Sequence, residues 1–212
     1  MKHKKIVIPI VILLAVFLVV YYLIFSYKIV LKNSTLLTYP TISITQDTVN
    51  KINSGELLEG STYFNDMWKI PDRNDEDYGN LVELLYRFEI KRYLKVNDYV
   101  IGKTVDFEGL GDDNIFFALS AGGIEQNSEP IFASNGSDLT AYTYVSLWGC
   151  TYGKSEEEIA ELGKKIKIAF LVQHPNGKID KKIISPSKYD ILIEEASEND
   201  VYSNRSFLGM GN

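Results

Sequence analysis

Cysteine and histidine are scarce in this chain of 212 residues. The single cysteine, Cys150, excludes an internal disulfide, so the fold must be stabilised by its hydrophobic core alone. The two histidines, His3 and His174, and this one cysteine do not make up the four ligands typical of a structural zinc site. The sequence therefore predicts neither a disulfide framework nor a zinc centre, and we expect no cofactor.

The order of these residues also argues against a cysteine nucleophile. A thiol nucleophile needs a histidine to activate it and a cation to stabilise the oxyanion. In the β-rich sortase transpeptidases the histidine precedes the cysteine and an arginine follows it. Here His174 follows Cys150, and the only downstream arginine is Arg205 near the C-terminus. We interpret Cys150 as a strand residue and His174 as a turn residue, and we predict that the chain is not an enzyme.

Basic residues are outnumbered by acidic ones. The formal net charge is −6, and residues 1–25 hold three lysines and no acid, which leaves 19 basic against 28 acidic side chains in the remainder. The resulting charge of −9 in that part of the chain repels the phosphates of nucleic acids. The sequence therefore predicts no nucleic-acid partner.

Charged residues are absent from Ile6 to Phe25. Twenty residues at 1.5 Å each span roughly 30 Å, the hydrocarbon thickness of a bilayer, so this run predicts a transmembrane helix in contact with lipid. Residues 1–5 form a basic flank, which favours a cytoplasmic N-terminus and an extracytoplasmic C-terminal domain. Because the run ends in the bulky residues Val20 to Phe25, without a small-residue cleavage site, we predict a retained signal-anchor in the cell membrane; a cleaved signal is the alternative.

The rest of the chain divides by composition. Residues 26–40 are rich in polar side chains and end at Pro40, which predicts a stalk. Residues 41–193 suffice for one hydrophobic core, and we predict a single domain there. Residues 194–212 predict a polar, flexible tail.

Short apolar or alternating runs dominate the predicted domain. Apolar and polar residues that alternate with period two are typical of half-buried strands. About eight such runs are separated by turn residues: 41–45, 105–108, 115–120, 129–133, 139–148, 166–172, 178–184 and 189–193. Ser155 and Glu158 form a capping box that predicts a short helix. Residues 81–95 fit either a strand or a helix, and their aromatic content favours a strand of a hairpin. The pattern predicts a mainly β, two-layer sandwich with one or two short helices.

An acidic run suggests a calcium loop. Oxygen-bearing residues recur at positions one, three, five, nine and twelve of an EF-hand spacing: Asp72, Asn74, Glu76, Asn80 and Glu83. Position six, which requires glycine for its sharp turn, is Asp77, and Pro71 disfavours an incoming helix. We therefore interpret the run as a solvated loop and predict no metal site.

One segment of the domain resembles a known family. The capped helix at Ser155 leads directly into the run 166–172, and the turn at Asn176-Gly177 reverses that strand. This arrangement, over about residues 150–193, resembles the late strands of immunoglobulin-like domains on membrane-anchored surface proteins of Gram-positive bacteria. The resemblance implies an immunoglobulin-like β-sandwich that acts as an extracytoplasmic binding or structural module of the cell envelope. It carries over no catalytic residues.

Two classes of function follow. The first is a membrane-tethered binding or accessory module whose partner is an envelope protein or a cell-wall glycan. The alternative is a cell-wall-active enzyme that hydrolyses glycan with a pair of carboxylates, whose separation a sequence does not show. Five aromatic residues discriminate between the two, because a groove of them beside two convergent carboxylates would favour sugar chemistry: Tyr63, Trp68, Tyr142, Tyr144 and Trp148. We predict that Tyr142, Tyr144 and Trp148 share a strand face and belong to the core.

Overall fold

The computed structural model describes residues 2–54, 70, 78–93, 100–120, 139–174 and 177–199. The helices in these ranges are α1 Lys2–Phe25, α2 Gln46–Ser54 and α3 Glu156–Lys165. The strands are β1 Tyr27–Ser43, β2 Asn80–Arg92, β3 Val100–Asp106, β4 Phe116–Ser120, β5 Thr140–Cys150, β6 Lys167–Gln173, β7 Ile179–Ile184 and β8 Ile191–Glu195. Short 3₁₀ helices occupy Glu108–Asp113 and Pro186–Lys188.

The strands form two sheets. The larger has the order β4-β5-β2-β1-β8, and the smaller has the order β3-β6-β7. All neighbouring pairs are antiparallel except β1 and β8, which run parallel, so the larger sheet is mixed. The prediction of a mainly β sandwich is confirmed.

The main core lies between the larger sheet and a second layer made of β6 and α3. Alternation along β2 turns Leu84, Tyr86, Phe88 and Ile90 inward, and all four are fully buried. Phe88 meets Phe170 of β6 edge to face, with ring centroids 4.8 Å apart. This register decides the alternative left open for residues 81–95: Asn80–Arg92 is a strand.

A second, smaller core lies at one end of the larger sheet, on its opposite side. It is formed by Tyr39 and Ile42 of β1, Val49 and Ile52 of α2, and several further buried residues: Ile44, Ile70, Tyr78, Leu81 and Cys150. Leu81 and Cys150 are cross-strand partners, so their side chains point to the same side of the sheet. This core covers that end of the sheet only.

The predicted membrane anchor is contradicted by the structure. Among the described residues, no helix combines the length and the apolar character needed to cross a bilayer. The single-pass anchor at 6–25 and the localisation inferred from it are therefore corrected. The large apolar side chains between Ile10 and Tyr22 are exposed.

The predicted stalk is also wrong, because residues 26–40 contribute most of β1. This strand lies between β2 and β8, and Ile29, Leu31 and Leu36 on it are buried in the main core. The consecutive polar residues that suggested a stalk contain the register shift between Leu31 and Asn33, after which Ser34 and Leu36 face the core. Of the predicted tail, residues 194–195 end β8, and residues 200–212 lie outside the described residues.

The capping box predicted at Ser155 is confirmed. The Glu158 backbone N–H donates to Ser155 Oγ at 3.3 Å, and the Ser155 N–H donates to Glu158 Oε2 at 2.8 Å. The acidic residues of the first turn and the lysines of the last turn both suit the helix dipole. The helix is therefore stabilised locally as well as by its packing against the sheet.

Candidate functional site

The candidate site is the side of the larger sheet that faces away from β6 and α3. Cross-strand partners share a face, and four pairs define the surface that we call the outer sheet face: Glu83 with Trp148, Leu85 with Ser146, Arg87 with Tyr144, and Glu89 with Tyr142. These residues alternate with the buried residues of β2 and β5. The fold therefore places a polar and aromatic surface on two central strands.

The aromatic residues of this face differ in their burial. Tyr142 is 73% exposed and Tyr144 is 43% exposed, while Trp148 is half-buried beside the smaller core. The prediction that Tyr142, Tyr144 and Trp148 share a strand face is confirmed. The prediction that they belong to the core is wrong for Tyr142 and Tyr144, whereas Trp148 packs against the smaller core. Sequence alternation identifies two faces and does not say which one the second layer covers. Tyr63 and Trp68 lie outside the described residues.

Glu83 is held in place at the half-buried end of the outer sheet face. The hydroxyl groups of Tyr39 and Ser146 donate to its two carboxylate oxygens at 2.8 and 2.5 Å. The indole N–H of Trp148 donates to Ser146 Oγ at 3.1 Å and continues the network. Each member thereby has a fixed rotamer, and the network orders the neighbouring surface.

Glu89 is the second carboxylate of the face, and its residue is only 7% exposed. Lys91 Nζ lies 2.9 Å from Glu89 Oε1, and Lys32 Nζ lies 3.6 Å from Oε2. Lys32 reaches this position at the register shift between Leu31 and Asn33 on β1. The hydrogen bond from Lys91 and the charge of Lys32 lower the pKa of Glu89, although partial burial opposes them. The Tyr142 hydroxyl lies at hydrogen-bond distance, 3.5 Å from Oε2.

The two carboxylates are too far apart to act as a glycosidase pair. Glu83 and Glu89 lie six residues apart on one strand, which at about 3.3 Å per residue is roughly 20 Å. Glycoside hydrolysis needs carboxyl groups roughly 5 to 10 Å apart. Each carboxylate is also already engaged, Glu83 by hydroxyl groups and Glu89 by lysines. The outer sheet face therefore has ordered charges but no paired acid and base.

The hypothetical calcium loop is only partly within the described residues. Asp72, Asn74 and Glu76 lie outside them, whereas Asn80 and Glu83 belong to β2. The Asn80 amide oxygen accepts a hydrogen bond from Ser43 Oγ at 3.1 Å, and Glu83 is held as described above. In the described ranges, no group of three or more histidine, cysteine, aspartate or glutamate side chains is arranged for a metal ion.

Cys150 is buried at the end of β5, within the smaller core. Burial raises the pKa of its thiol, so the thiolate needed for nucleophilic attack does not form near neutral pH. The residue ends the strand, as predicted.

His174 directly follows β6 and is buried. Its Nε2 lies 2.7 Å from Asp180 Oδ2, and its ring centroid lies 5.8 Å from that of Tyr27. Hydrogen bonds from Lys178 first, and then from His174, lower the pKa of Asp180. The backbone N–H of Gly177 donates to the His174 carbonyl, and Gly177 has a positive φ of 82°, so His174 begins the predicted turn.

Lys103 is a residue that sequence reasoning missed. It lies opposite Phe170 on β3 and therefore points toward the core side of the smaller sheet. Its ammonium donates to Thr143 Oγ1 and, at 2.9 Å, to the Tyr144 carbonyl, and it lies 5.9 Å from the centre of the Tyr144 ring. Burial lowers the pKa of Lys103 to about 8. The sequence did contain a signal for it: Lys103 is a charged residue between Ile101 and Val105, at an inward position of an alternating strand.

Comparison with family models, with curated proteins and with solved structures finds no match for this chain.

Proposed function

We propose that this protein is a binding module that contacts a partner protein through the outer sheet face. The observation that carries the proposal is the exposure of Tyr142 and Tyr144 on one strand, with Arg87 directly opposite Tyr144 on the next. Tyrosine, tryptophan and arginine are the residues that most often supply binding energy at protein interfaces. Their position on the central strands of a sheet keeps them rigid, which lowers the entropy lost on binding.

The chemistry of the surrounding residues supports binding over catalysis. The carboxylates of the face are engaged in hydrogen bonds and ion pairs, and roughly 20 Å of strand separates them. Tyr39 and Ser146 donate hydrogen bonds to Glu83, and Lys91 forms an ion pair with Glu89. Neither carboxylate of this face is therefore a free acid next to a free base. Ordered polar groups around exposed aromatic side chains are typical of the rim of an interface.

The test compares a variant of the face with a matched surface variant. The double substitution Tyr142→Ala and Tyr144→Ala removes both exposed rings, whereas Tyr189→Ala removes an exposed tyrosine that lies just after a 3₁₀ helix. The full-length chain and both variants are used for crosslinked affinity capture from cells that produce the protein. The dissociation constant of each captured protein is then measured by calorimetry with the purified chains.

We expect a protein that binds the wild type and the Tyr189 variant equally and binds the double variant at least tenfold more weakly. Equal binding by all three chains would contradict the proposal. If the wild type binds a polysaccharide and the double variant does not, the ligand of this face is a glycan and not a protein. The same face would then have a different class of ligand.

A further inference from the structure

Among the described strands, each sheet has two edge strands, each with one edge that no described strand pairs with. They are β3 and β7 in the smaller sheet and β4 and β8 in the larger. An unpaired edge presents backbone N–H and C=O groups that can pair with a strand of another chain. Of these edge strands, β7 and β8 expose large apolar side chains, which a lone edge ordinarily avoids.

The exposed apolar residues lie in short rows on these edges. On β7, Ile179 is 62% exposed and Ile183 is also exposed, with the exposed Lys181 between them. On β8, Leu192 is 54% exposed, and the exposed Glu194 follows it on the same face of the strand. Each edge therefore combines an apolar contact with a charge, and the two charges have opposite sign.

These charges select among the possible edge pairings. Two antiparallel copies of β7 with Ile179 beside Ile183 place Lys181 opposite its counterpart. Two antiparallel copies of β8 paired through Leu192 place Glu194 opposite Asp190. Like charges directly opposite each other on paired strands are destabilising, whereas opposite charges stabilise. Of the three possible pairings of these two strands, β7 with β8 matches both the apolar and the charged residues.

A parallel register gives the best match. With Lys181 beside Glu194, Ile179 lies beside Leu192, and Lys182 lies beside Glu195. An antiparallel register through the same Lys181 and Glu194 pair would instead place Asp180 opposite Glu195, two carboxylates in direct opposition. The parallel arrangement avoids that repulsion.

We infer that the β7 edge of one copy of this chain pairs with the β8 edge of a second copy, in parallel, with Lys181 beside Glu194. The contact is heterologous, because the two copies use different surfaces. Each bound pair still has one free β7 edge and one free β8 edge, so association continues past a dimer unless it closes into a ring. This inference does not depend on the outer sheet face.

Charge reversal at each edge tests the inference. Lys181→Glu places glutamate at both facing positions, 181 and 194, and Glu194→Lys places lysine at both. The two substitutions together exchange the charges. Lys165→Glu, at an exposed position in the last turn of α3, is the matched control. Sedimentation velocity of the full chain measures association over a range of concentrations in about 0.05 M and about 0.5 M salt.

We expect each single edge reversal to weaken association about tenfold or more at low salt. The double exchange should restore it, and so should an equimolar mixture of Lys181→Glu and Glu194→Lys, since their edges are complementary. High salt should reduce the differences. All variants keep the exposed residues of α1, so association through that helix would be unchanged by the reversals. Three results would overturn the inference. They are association that the charge reversals leave unchanged, a wild type that stays monomeric, and a mixture of the two single variants that fails to associate.

Discussion

At the scale of single residues, Lys103 shows how a cation is kept inside a small β-sandwich. Its ammonium leaves β3 and donates to Thr143 and to the Tyr144 carbonyl on β5. These bonds replace part of the water that burial removes, yet burial still lowers the pKa to about 8. The side chain thus links the two sheets directly behind one of the exposed tyrosines of the outer sheet face.

This lowered pKa predicts a pH dependence of stability. The unfolded chain keeps the lysine protonated up to its ordinary pKa, well above 8, so between these two values unfolding takes up a proton. The folded state therefore gains stability as the pH rises from about 8 toward 10. The free energy of unfolding, measured by urea denaturation, should rise by about 2 kcal/mol more in the wild type than in Lys103→Met. A constant difference between the two proteins from pH 7 to 10 would contradict this.

At the scale of elements, the contact between β4 and β5 depends on a small residue. The Cys150 N–H donates to the Ile115 carbonyl at 3.2 Å, at the point where Gly149 lies against β4. A Cβ at Gly149 would lie 2.7 Å from the Ile115 carbonyl oxygen and 3.1 Å from the Phe116 ring. The glycine is therefore required for the close approach of the two strands.

Gly149→Ala should destabilise the protein by about 2 kcal/mol, because the backbone at Ile115, just before β4, must move away and its carbonyl loses the hydrogen bond from Cys150. Gly102→Ala is the matched control. A Cβ there meets Leu171 Cβ at 3.5 Å, an ordinary contact, so this change should be neutral or stabilise by about 0.5 kcal/mol. Urea denaturation of both variants checks the difference, and equal effects would show that the approach at β4 is not tight.

At the scale of the whole molecule, the second layer is bound to the larger sheet by polar as well as apolar contacts. Tyr86 is fully buried on β2, and its hydroxyl donates to the Gly163 carbonyl of α3 at 2.7 Å. Burial raises the pKa of this phenol well above its usual range, so it stays a donor at all ordinary pH values. One hydrogen bond thereby joins residues 77 positions apart in sequence.

Tyr86→Phe should lower the free energy of unfolding by about 1 kcal/mol, since the ring still packs but the Gly163 carbonyl loses a buried donor. Tyr189→Phe, at an exposed tyrosine, should change it by less than about 0.5 kcal/mol. Hydrogen exchange adds a local readout, because amides of α3 should lose more protection than those of β5. Uniform loss of protection would mean that the bond does not hold α3 in particular.

Much of the local structure was predictable because it depends on neighbours in sequence. The capping box at Ser155 and the turn at Gly177 rest on contacts within a few residues, and both were predicted. The strand at residues 139–148 matched β5 closely for the same reason. Residues 26–40 were assigned to a stalk because a strand with one polar face has the composition of a linker.

The candidate site needed the tertiary structure. Tyr142 and Tyr144 were identified from sequence, but their exposure depends on which face of the larger sheet β6 and α3 cover. Lys103 and the distance between Glu83 and Glu89 depend on strand pairing between distant segments, which local patterns do not encode.

The sequence by itself determined the excess of acidic charge, the lack of disulfides and the mainly β character, because composition and period-two alternation act residue by residue. Only the tertiary structure decided that β1 and β8 run parallel, that Tyr142 and Tyr144 are exposed, and that β7 and β8, with opposite charges, are edge strands among those described. Those properties arise from the burial of apolar faces against one another. That burial selects partners across the whole chain, whereas alternation specifies only that each strand has two faces.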